Sequence, residues 1–261
     1  GRGTERIGTL GLGNANSTHA LNWTSDINLY GADRTVDVEN SSVAVDAEIS
    51  GAIESLAWEV DGGFGLTKTG AGTLKLSATN TYTGMTTVSE GNLQVTGSLA
   101  GGASVSDGAT LSGDGTISGA TTVLSGGILA AGNSPGILTF GDALTLDAGS
   151  FTEMEIDGTV RVTDYDGIDV GGLLTYGGEM TLLADMLLAE GDVYDLFEIN
   201  GTEDGSFASI TLSGSAYSGL AFAQAGDVWT ASAAGLTYTF SQLTGALSVV
   251  PEPGTYALLA G

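Results

Sequence analysis

A short repeat marked by glycine constrains this chain more than any other feature. Glycine turns followed by short apolar strands recur at Gly91, Gly108, Gly126 and Gly149, in steps of 17, 18 and 23 residues. This period is too short for a propeller blade and too irregular for a coiled coil. It fits one coil of a parallel β-helix, in which three short strands are joined by tight turns.

The apolar residues alternate with polar ones, as in half-buried strands. Val43, Val45, Ala47 and Ile49 keep a period of two, which predicts a strand over residues 43–49. Each coil is expected to point Leu, Val and Ile inward and Thr, Ser and Asp outward. One coil cannot bury its apolar face alone, but stacked coils can. We therefore predict an all-β chain folded as a parallel β-helix, or solenoid.

Composition supports this fold and excludes several functions. With 42% hydrophobic residues, the chain is too apolar for simple disorder. Its net charge of −25, from 6 Lys and Arg against 31 Asp and Glu, disfavours nucleic acid and anionic membranes as partners. The same charge should attract cations such as Ca²⁺. Without cysteine, disulfides and thiolate metal sites are impossible, and no apolar stretch is long enough to span a bilayer.

The texture of the sequence predicts four segments. Residues 1–50 contain irregular N-terminal strands or a cap, and residues 51–155 form the regular solenoid. From about Phe151 the glycines become sparser and the strands longer. Residues 156–250 are therefore expected to form wider coils or a C-terminal β cap that covers the open end of the solenoid. Residues 251–261 form a separate tail.

One stretch of the solenoid closely resembles a known repeat. Residues 70–84 read GAGTLKLSATNTYTG, and residues 85–95 continue as MTTVSEGNLQV. This run resembles the autotransporter-associated β-strand repeat, with Ala78 and Met85 standing where glycine is usual. Residues 126–140 and 164–172 are similar to the PGNSPG turn and the following YD coil of autotransporter passenger domains. The resemblance implies a right-handed β-helix in an exported, extracellular or cell-surface bacterial protein.

The C-terminal tail carries a second resemblance. Residues 250–261 read VPEPGTYALLAG, and Pro251, Glu252 and Pro253 match the opening of a PEP-CTERM sorting signal. The resemblance implies export, handling by an exosortase and a species that makes exopolysaccharide. The membrane helix and basic cluster of that family do not follow Gly261, so we expect no membrane anchoring for this form.

One motif formally matches a catalytic signature. Residues 132–136 fit the G-x-S-x-G nucleophile elbow, which needs a helix after the serine. A strand is predicted over residues 137–140 instead, and the single histidine, His19, lies far upstream. We therefore expect a β-helix corner here and no enzymatic activity.

Three aspartates are the candidate metal ligands. Asp164, Asp166 and Asp169 lie close together around Gly167, and oxygen ligands at alternate positions can bind Ca²⁺. The twelve-residue EF-hand loop is absent, and a structural acidic turn is the alternative. No other cofactor is expected. Trp23, Trp58 and Trp229 are too scattered for a sugar-binding platform and are expected to be core or end-cap aromatics.

These observations predict a structural protein of the cell surface or extracellular matrix, such as a biofilm matrix. The stacked coils would form a stiff rod, and the tail or the N-terminal strands would dock onto a neighbouring copy by strand addition. Docking that does not close gives a head-to-tail filament, a homopolymer. Exopolysaccharide is a second expected partner. A carbohydrate-binding adhesin module and a polysaccharide-degrading β-helix enzyme remain as alternatives.

Overall fold

The computed structural model describes residues 8–13, 15–55, 63–132 and 135–252. Within these ranges all regular structure is β, and no helix that could cross a membrane is present. Three sequence-based predictions fall outside these ranges, at least in part: they concern Trp58, the centre of the 132–136 turn at Asn133 and Ser134, and the tail from Pro253 onward.

Thirty-two short strands build the described part of the chain. In chain order they are β1 (Thr9–Leu12), β2 (Leu21–Trp23), β3 (Ile27–Asn28), β4 (Arg34–Val38), β5 (Ala47–Ile49), β6 (Ile53–Glu54), β7 (Leu66–Thr69), β8 (Thr73–Leu76), β9 (Thr79–Asn80), β10 (Thr86–Val88), β11 (Asn92–Val95), β12 (Ser98–Leu99), β13 (Ala103–Val105), β14 (Thr110–Gly113), β15 (Thr116–Ile117), β16 (Thr121–Val123), β17 (Ile128–Ala131), β18 (Ile137–Phe140), β19 (Leu144–Leu146), β20 (Phe151–Ile156), β21 (Gly167–Val170), β22 (Leu173–Tyr176), β23 (Glu179–Ala184), β24 (Val193–Asp195), β25 (Phe197–Ile199), β26 (Thr202–Gly205), β27 (Ser209–Gly214), β28 (Tyr217–Ala221), β29 (Ala223–Ala225), β30 (Val228–Ala233), β31 (Leu236–Ser241) and β32 (Ala246–Pro251).

The strands repeat in threes, with β24 as an additional strand in the eighth coil, and corresponding strands of successive coils join the same sheet. The first sheet runs β1-β4-β7-β10-β13-β16-β19-β22-β26, and the second runs β2-β5-β8-β11-β14-β17-β20-β23-β27. The third sheet runs from β9 through β12, β15, β18 and β21 to β25, and the β3–β6 pair adjoins it through the Thr81 N–H, which donates to the Ile53 carbonyl at 3.0 Å. Every strand pairing between these coils is parallel, and a single-residue antiparallel bridge joins Gly113 to Gly132 at one corner. The all-β parallel β-helix predicted from the sequence is confirmed, with nine coils in the described residues.

The interior is filled by columns of side chains that stack from coil to coil. In the first sheet the inward column is almost entirely aliphatic and lies in register: Val36, Lys68, Val88, Val105, Val123 and Leu146. The neighbouring outward column is made of Thr and Ser. This alternation is the period of two seen in the sequence, and it places one aliphatic side chain per strand in a continuous core.

Glycines at the corners allow the coils to approach closely. A Cβ atom on Gly97 would lie 2.0 Å from the carbonyl oxygen of Ala78 in the coil below. A Cβ atom on Gly115, one coil further along, would lie 2.3 Å from the carbonyl oxygen of Gly97. This corner is therefore a glycine column because backbone from one coil occupies the space of a side chain in the next.

A C-terminal cap covers the last coil. Strand β28 turns back antiparallel to β27, and a five-stranded antiparallel sheet follows in the order β24-β32-β31-β30-β29. The buried ring of Phe240 on this sheet packs against Phe197 and Phe207 of the last coils, with centroids 6.1 and 6.3 Å apart. The Tyr176 hydroxyl donates to the Gln242 carbonyl at 3.1 Å. These contacts fix the cap to the solenoid.

Parallel pairing continues through the boundaries predicted near residues 50 and 155, and the antiparallel strand pairs are confined to the cap and to the strands that join it, β24 and β27. The strand predicted over residues 43–49 forms only over Ala47–Ile49. The reason is the buried Asp46, whose carboxylate accepts hydrogen bonds from the Ser41 N–H and the Thr73 N–H, both at 2.7 Å. These bonds fold the preceding residues into a bend rather than an extended strand.

Candidate functional site

Asn80, inside the repeat, ties three coils together. Its side chain is buried, and its Oδ1 atom accepts a hydrogen bond from the Ile53 N–H of the preceding coil at 2.9 Å. Its Nδ2 group donates to the Ala78 carbonyl in the same coil and to the Ser98 carbonyl in the next coil, both at 3.0 Å. The amide therefore satisfies one donor and two acceptors of the backbone at a corner where the strands are short.

Tyr82, two residues later, fills the core of the same coil. Its ring is fully buried, and its hydroxyl lies 2.8 Å from the Thr86 Oγ1 atom, which is also buried. Burial raises the pKa of Tyr82 far above its usual range, against a smaller opposing effect of the hydrogen bond to Thr86. The phenol therefore stays neutral and acts as a structural hydrogen-bonding group.

Lys68 points into the solenoid rather than into solvent. Its side chain is fully buried, and its Nζ group donates to the carbonyls of Thr69 at 3.0 Å, Gly70 at 2.6 Å and Glu90 at 2.9 Å. Burial lowers the pKa of Lys68 to about 8, against the opposing effect of nearby carboxylates such as that of Asp37. Three donors thus meet three backbone acceptors from two adjacent turns, which joins those turns.

We expect Lys68→Met to lower the free energy of unfolding by about 2–4 kcal/mol, because it leaves the three turn carbonyls without a donor. Lys75→Met is the matched control from the same repeat. Lys75 is partly exposed and lies 3.7 Å from the Glu48 carboxylate, so its loss should cost less than about 1 kcal/mol. Urea unfolding of both variants measures the difference. If both variants lost the same free energy of unfolding, the three hydrogen bonds of the buried Lys68 would not stabilise the fold more than the partly exposed ion pair of Lys75.

Asp166 is a buried carboxylate that contacts Gly132 and Gly136, the two ends of the G-x-S-x-G segment. It is 2% exposed; its Oδ1 atom accepts from the Gly136 N–H at 3.0 Å, and its Oδ2 atom accepts from the Glu155 N–H at 2.8 Å. The same Oδ1 atom occupies the space where a Cβ atom of Gly132 would lie. One side chain thus joins the turn of the sixth coil to the seventh.

A shallow cavity of about 220 Å³ lies beside Asp166 on the outer surface of the second sheet. Its polar lining comes from five side chains: Gln94, Ser112, Glu153, Glu155 and Asp166. Burial raises the pKa of Asp166 to about 7, and the carboxylates of Glu155 and Asp157 add to this, whereas the two backbone hydrogen bonds oppose it. Asp166 therefore exchanges its proton near neutral pH.

The raised pKa of Asp166 predicts an unusual pH dependence of stability. Between about pH 4, the unfolded value, and about pH 7, the folded chain binds this proton more tightly than the unfolded chain. The contribution of this proton to the free energy of unfolding is fully present below pH 4 and is lost as the pH rises through 7. The loss amounts to about 4 kcal/mol at most. Asp166→Asn should flatten this slope, as measured by urea unfolding at pH 5 and pH 8.

The exposed Asp227 supplies the control, since Asp227→Asn removes one carboxylate from the chain without touching the turn. If Asp166→Asn and Asp227→Asn changed the pH dependence equally, the buried carboxylate would not be its source.

The structure directs the three candidate calcium ligands to different partners. The Asp164 carboxylate accepts from the Val160 N–H at 3.0 Å, and the Asp169 carboxylate pairs with the Arg161 guanidinium. Asp166 faces the Gly136 turn. In the described residues no group of three or more acidic or histidine side chains is arranged to hold a metal ion. The calcium site stays a prediction, which a calcium titration would check.

The G-x-S-x-G segment leads directly into a strand. Strand β18 (Ile137–Phe140) follows it and pairs with β15 and β21 in the third sheet. His19 lies between β1 and β2 in the first coil, where its Nδ1 atom is 3.0 Å from the Thr18 hydroxyl. Its described residues, Gly132, Pro135 and Gly136, belong to the sixth coil, and a solenoid strand follows them where a nucleophile elbow needs a helix.

The tail begins as part of the cap. Pro251 is the last residue of β32 and pairs with Leu236, and the Glu252 N–H donates to the Gly235 carbonyl at 3.0 Å. Pro253, the third residue of the sorting-type motif, lies outside the described residues. The motif therefore starts where the cap sheet ends.

Comparison with known proteins identifies the repeat. The family described as passenger-associated-transport-repeat matches residues 66–95 and 109–131. These ranges include Lys68, Asn80 and Tyr82. An extracellular serine protease of Serratia marcescens is 40% identical over 105 residues, which make up 40% of this chain and 10% of that protein. The chain therefore spans about a tenth of the length of this curated relative.

Proposed function

We propose that this chain is a structural, passenger-like segment of an exported bacterial surface protein. The observation that carries the proposal is the unbroken register of parallel strands through nine coils. The residues that match the passenger-associated-transport-repeat lie within these coils. At the usual spacing between strands, nine coils form a body about 40 Å long. The part that the chain plays is mechanical: it holds other parts of the protein at a distance from the cell.

An extracellular location is supported by two further observations. The Serratia marcescens relative is named as an extracellular protein, and the repeats are of the passenger-associated type. The net charge of −25 favours solubility outside the cell. We propose that the part shared with that protease is β-helix scaffold and that this chain has no enzymatic activity of its own.

A stiff solenoid suits such an environment because it resists proteolysis. Its backbone groups are bonded from coil to coil, and its aliphatic columns are buried along the whole length. Cleavage needs local unfolding, and opening one coil breaks contacts on both of its sides. The resistance to proteolysis therefore follows directly from the stacking of the coils.

Two measurements on one tagged protein test the proposal. In cells that produce the full natural protein, an external protease should reach an epitope placed in the exposed turn at Asp107 and Gly108. The purified chain should keep its solenoid intact during prolonged digestion with proteinase K. Retention of the epitope inside the cell, or rapid digestion of the solenoid, would contradict the proposal. Release of reducing sugars, or glycan-array binding, would favour the enzyme or the adhesin instead.

We also propose that the segment beginning at Pro251 takes part in sorting or assembly. Removal of residues 251–261 should leave the protein unprocessed, or abolish fibres under electron microscopy if copies join head to tail. The cap already occupies the C-terminal end of the solenoid, so a head-to-tail contact would have to form against the cap sheet. Normal processing and unchanged fibres in the truncated protein would remove the tail from both roles.

A further inference from the structure

The first sheet presents a flat surface of hydroxyl groups in its central coils. We call it the hydroxyl face. It consists of the outward side chains of β7, β10, β13 and β16 and of the residue that follows each of the last three strands: Thr67, Thr69, Thr87, Ser89, Ser104, Ser106, Thr122 and Leu124. The ladder extends to the following residues, since the Ser89, Ser106 and Leu124 N–H groups each donate to the preceding coil at 2.9 Å. None of these side chains is charged.

Most hydroxyls of this face have no partner within the described residues. Thr69 donates to the Asp37 carboxylate at 2.9 Å. The other six hydroxyls make no side-chain hydrogen bond there, although each is only partly exposed. The buried hydroxyl of Thr86, two residues before Val88 on the inward side of β10, is in contrast hydrogen-bonded to Tyr82. The face therefore offers a regular set of free donors and acceptors on a rigid support.

Charge separates this face from the two other sides of the solenoid. The second sheet carries outward carboxylates at Glu48, Glu153 and Glu179, and the third sheet carries them at Asp169 and Glu198. Two copies of a chain with a net charge of −25 repel each other wherever such groups meet. The hydroxyl face itself carries no carboxylate, so two copies can approach there with like charges only at the rim, at Asp37 and Asp147.

We propose that the hydroxyl face is a self-association surface, on which two copies of this chain pack about a two-fold axis and exchange Ser and Thr hydrogen bonds. Such an isologous contact uses the same surface on both copies. It goes beyond the mechanical role proposed above, because it adds a specific partner, a second copy, and a specific side. A nucleic acid would need basic residues, and a sugar chain would favour aromatic ones; this face has neither.

The size of the contact places it among the small protein–protein interfaces. The contact can extend beyond the four coils of the hydroxyl face, because the outward column of Thr and Ser side chains continues over eight coils, from Thr9 in β1 to Thr175 in β22. Eight coils and four residues of strand cover about 40 by 13 Å, so two copies would bury about 1,000 Å² in total. This is the lower end for specific contacts, so the association is reversible in solution and strengthens where many copies are held together.

The two-fold axis also predicts a salt dependence. If the two-fold axis passes between the fourth and fifth coils, the fourth coil of one copy faces the fifth coil of the other. The second coil of one copy then faces the seventh coil of the other. That places Asp37 near Asp147 at the rim, both on outward positions of the first sheet. Like charges at the rim oppose the contact, and salt screens them. Added salt should therefore strengthen the association.

Sedimentation velocity of the full chain over a range of concentrations tests the proposal. The wild type should associate reversibly, and more strongly at high salt. The double variant Thr87→Asp, Thr122→Asp places carboxylates in the hydroxyl face and should weaken association more than about tenfold. The control variants Thr110→Asp and Thr181→Asp change half-buried threonines of the second sheet and should stay within about twofold of the wild type.

Three outcomes would overturn the proposal. The first is a wild type that remains monomeric at high salt and high concentration. The second is equal weakening by the face and control variants, provided that circular dichroism shows all of them folded. The third is a monomeric wild type whose hydroxyl face binds a polysaccharide instead, which would identify a sugar surface. None of these outcomes changes the external-protease test of the proposed function, so the two proposals can fail separately.

Discussion

Replacing Gly97 by alanine should lower the free energy of unfolding by more than about 3 kcal/mol. The added Cβ atom would lie 2.0 Å from the Ala78 carbonyl oxygen and 2.7 Å from its carbon, both backbone atoms of the neighbouring coil. The Gly97 N–H also donates to the Leu76 carbonyl at 3.1 Å, so the coils cannot separate without losing ladder bonds. The clash is steric alone, since Gly97 does not have a positive φ.

Thermal and urea unfolding followed by circular dichroism measure this effect. Gly11→Ala is the matched control, because a Cβ atom there meets nothing within 4 Å and Gly11 has no positive φ. The control should be neutral or slightly stabilising, as alanine restricts the unfolded chain. A Gly97→Ala protein as stable as Gly11→Ala would mean that the coils are not as close as the structure places them.

Replacing Asn80 by leucine should cost about 4 kcal/mol, with a similar side-chain volume left in place. The substitution leaves the buried N–H of Ile53 without its acceptor and removes the amide donor from the carbonyls of Ala78 and Ser98. Because these groups belong to three successive coils, we expect hydrogen exchange to accelerate in all three, and not only at the site of the change.

Two variants sharpen this test. Asn80→Asp keeps the acceptor for Ile53 but loses both donors, so it should also be destabilising. Asn92→Leu removes an outward asparagine whose Oδ1 atom accepts a single bond from the Ser112 hydroxyl, at 2.9 Å, and should cost less than about 1 kcal/mol. A stable Asn80→Asp protein would show that only the bond to Ile53 matters.

The coil architecture could be predicted from the sequence because it depends on local signals. Glycines such as Gly91 and Gly126 mark the turns, have positive φ, and recur once per coil. The alternation of aliphatic and hydroxyl residues then fixes which side of each short strand is buried. The same pattern recurs in every coil, because each coil buries its aliphatic side chains against its neighbours in the same way. The prediction of the fold therefore rests on several coils and not on a single strand.

The polar groups of the interior could not be predicted in the same way. Lys68 occupies an inward position of the alternating pattern, two residues after the buried Leu66, and this parity was the available signal. Its acceptors, however, are carbonyls of turns whose geometry the sequence does not give. The grouping of Asp164, Asp166 and Asp169 shows only nearness along the chain, whereas the fold turns the three carboxylates to separate partners.

The cap was predicted as a region, but its strand order was not. Strand β24 leaves the eighth coil and pairs with β32, more than fifty residues later, through Val193 opposite Ser248. Such a pairing depends on tertiary contacts, among them the aromatic packing of Phe197 against Phe240, and leaves no periodic mark in the sequence.

The pairing of β24 with β32 has a consequence for a chain that emerges from a narrow channel with its N-terminus first. Each coil can pack on the preceding coil as soon as it has emerged, but the C-terminal cap is incomplete until its last strand, β32, has emerged. Until then the rings of Phe197 and Phe207 are exposed to water, and the unpaired edge of β24 can form hydrogen bonds with a strand of another chain. Closure is thus a late, single event that distinguishes a completed molecule from an interrupted one.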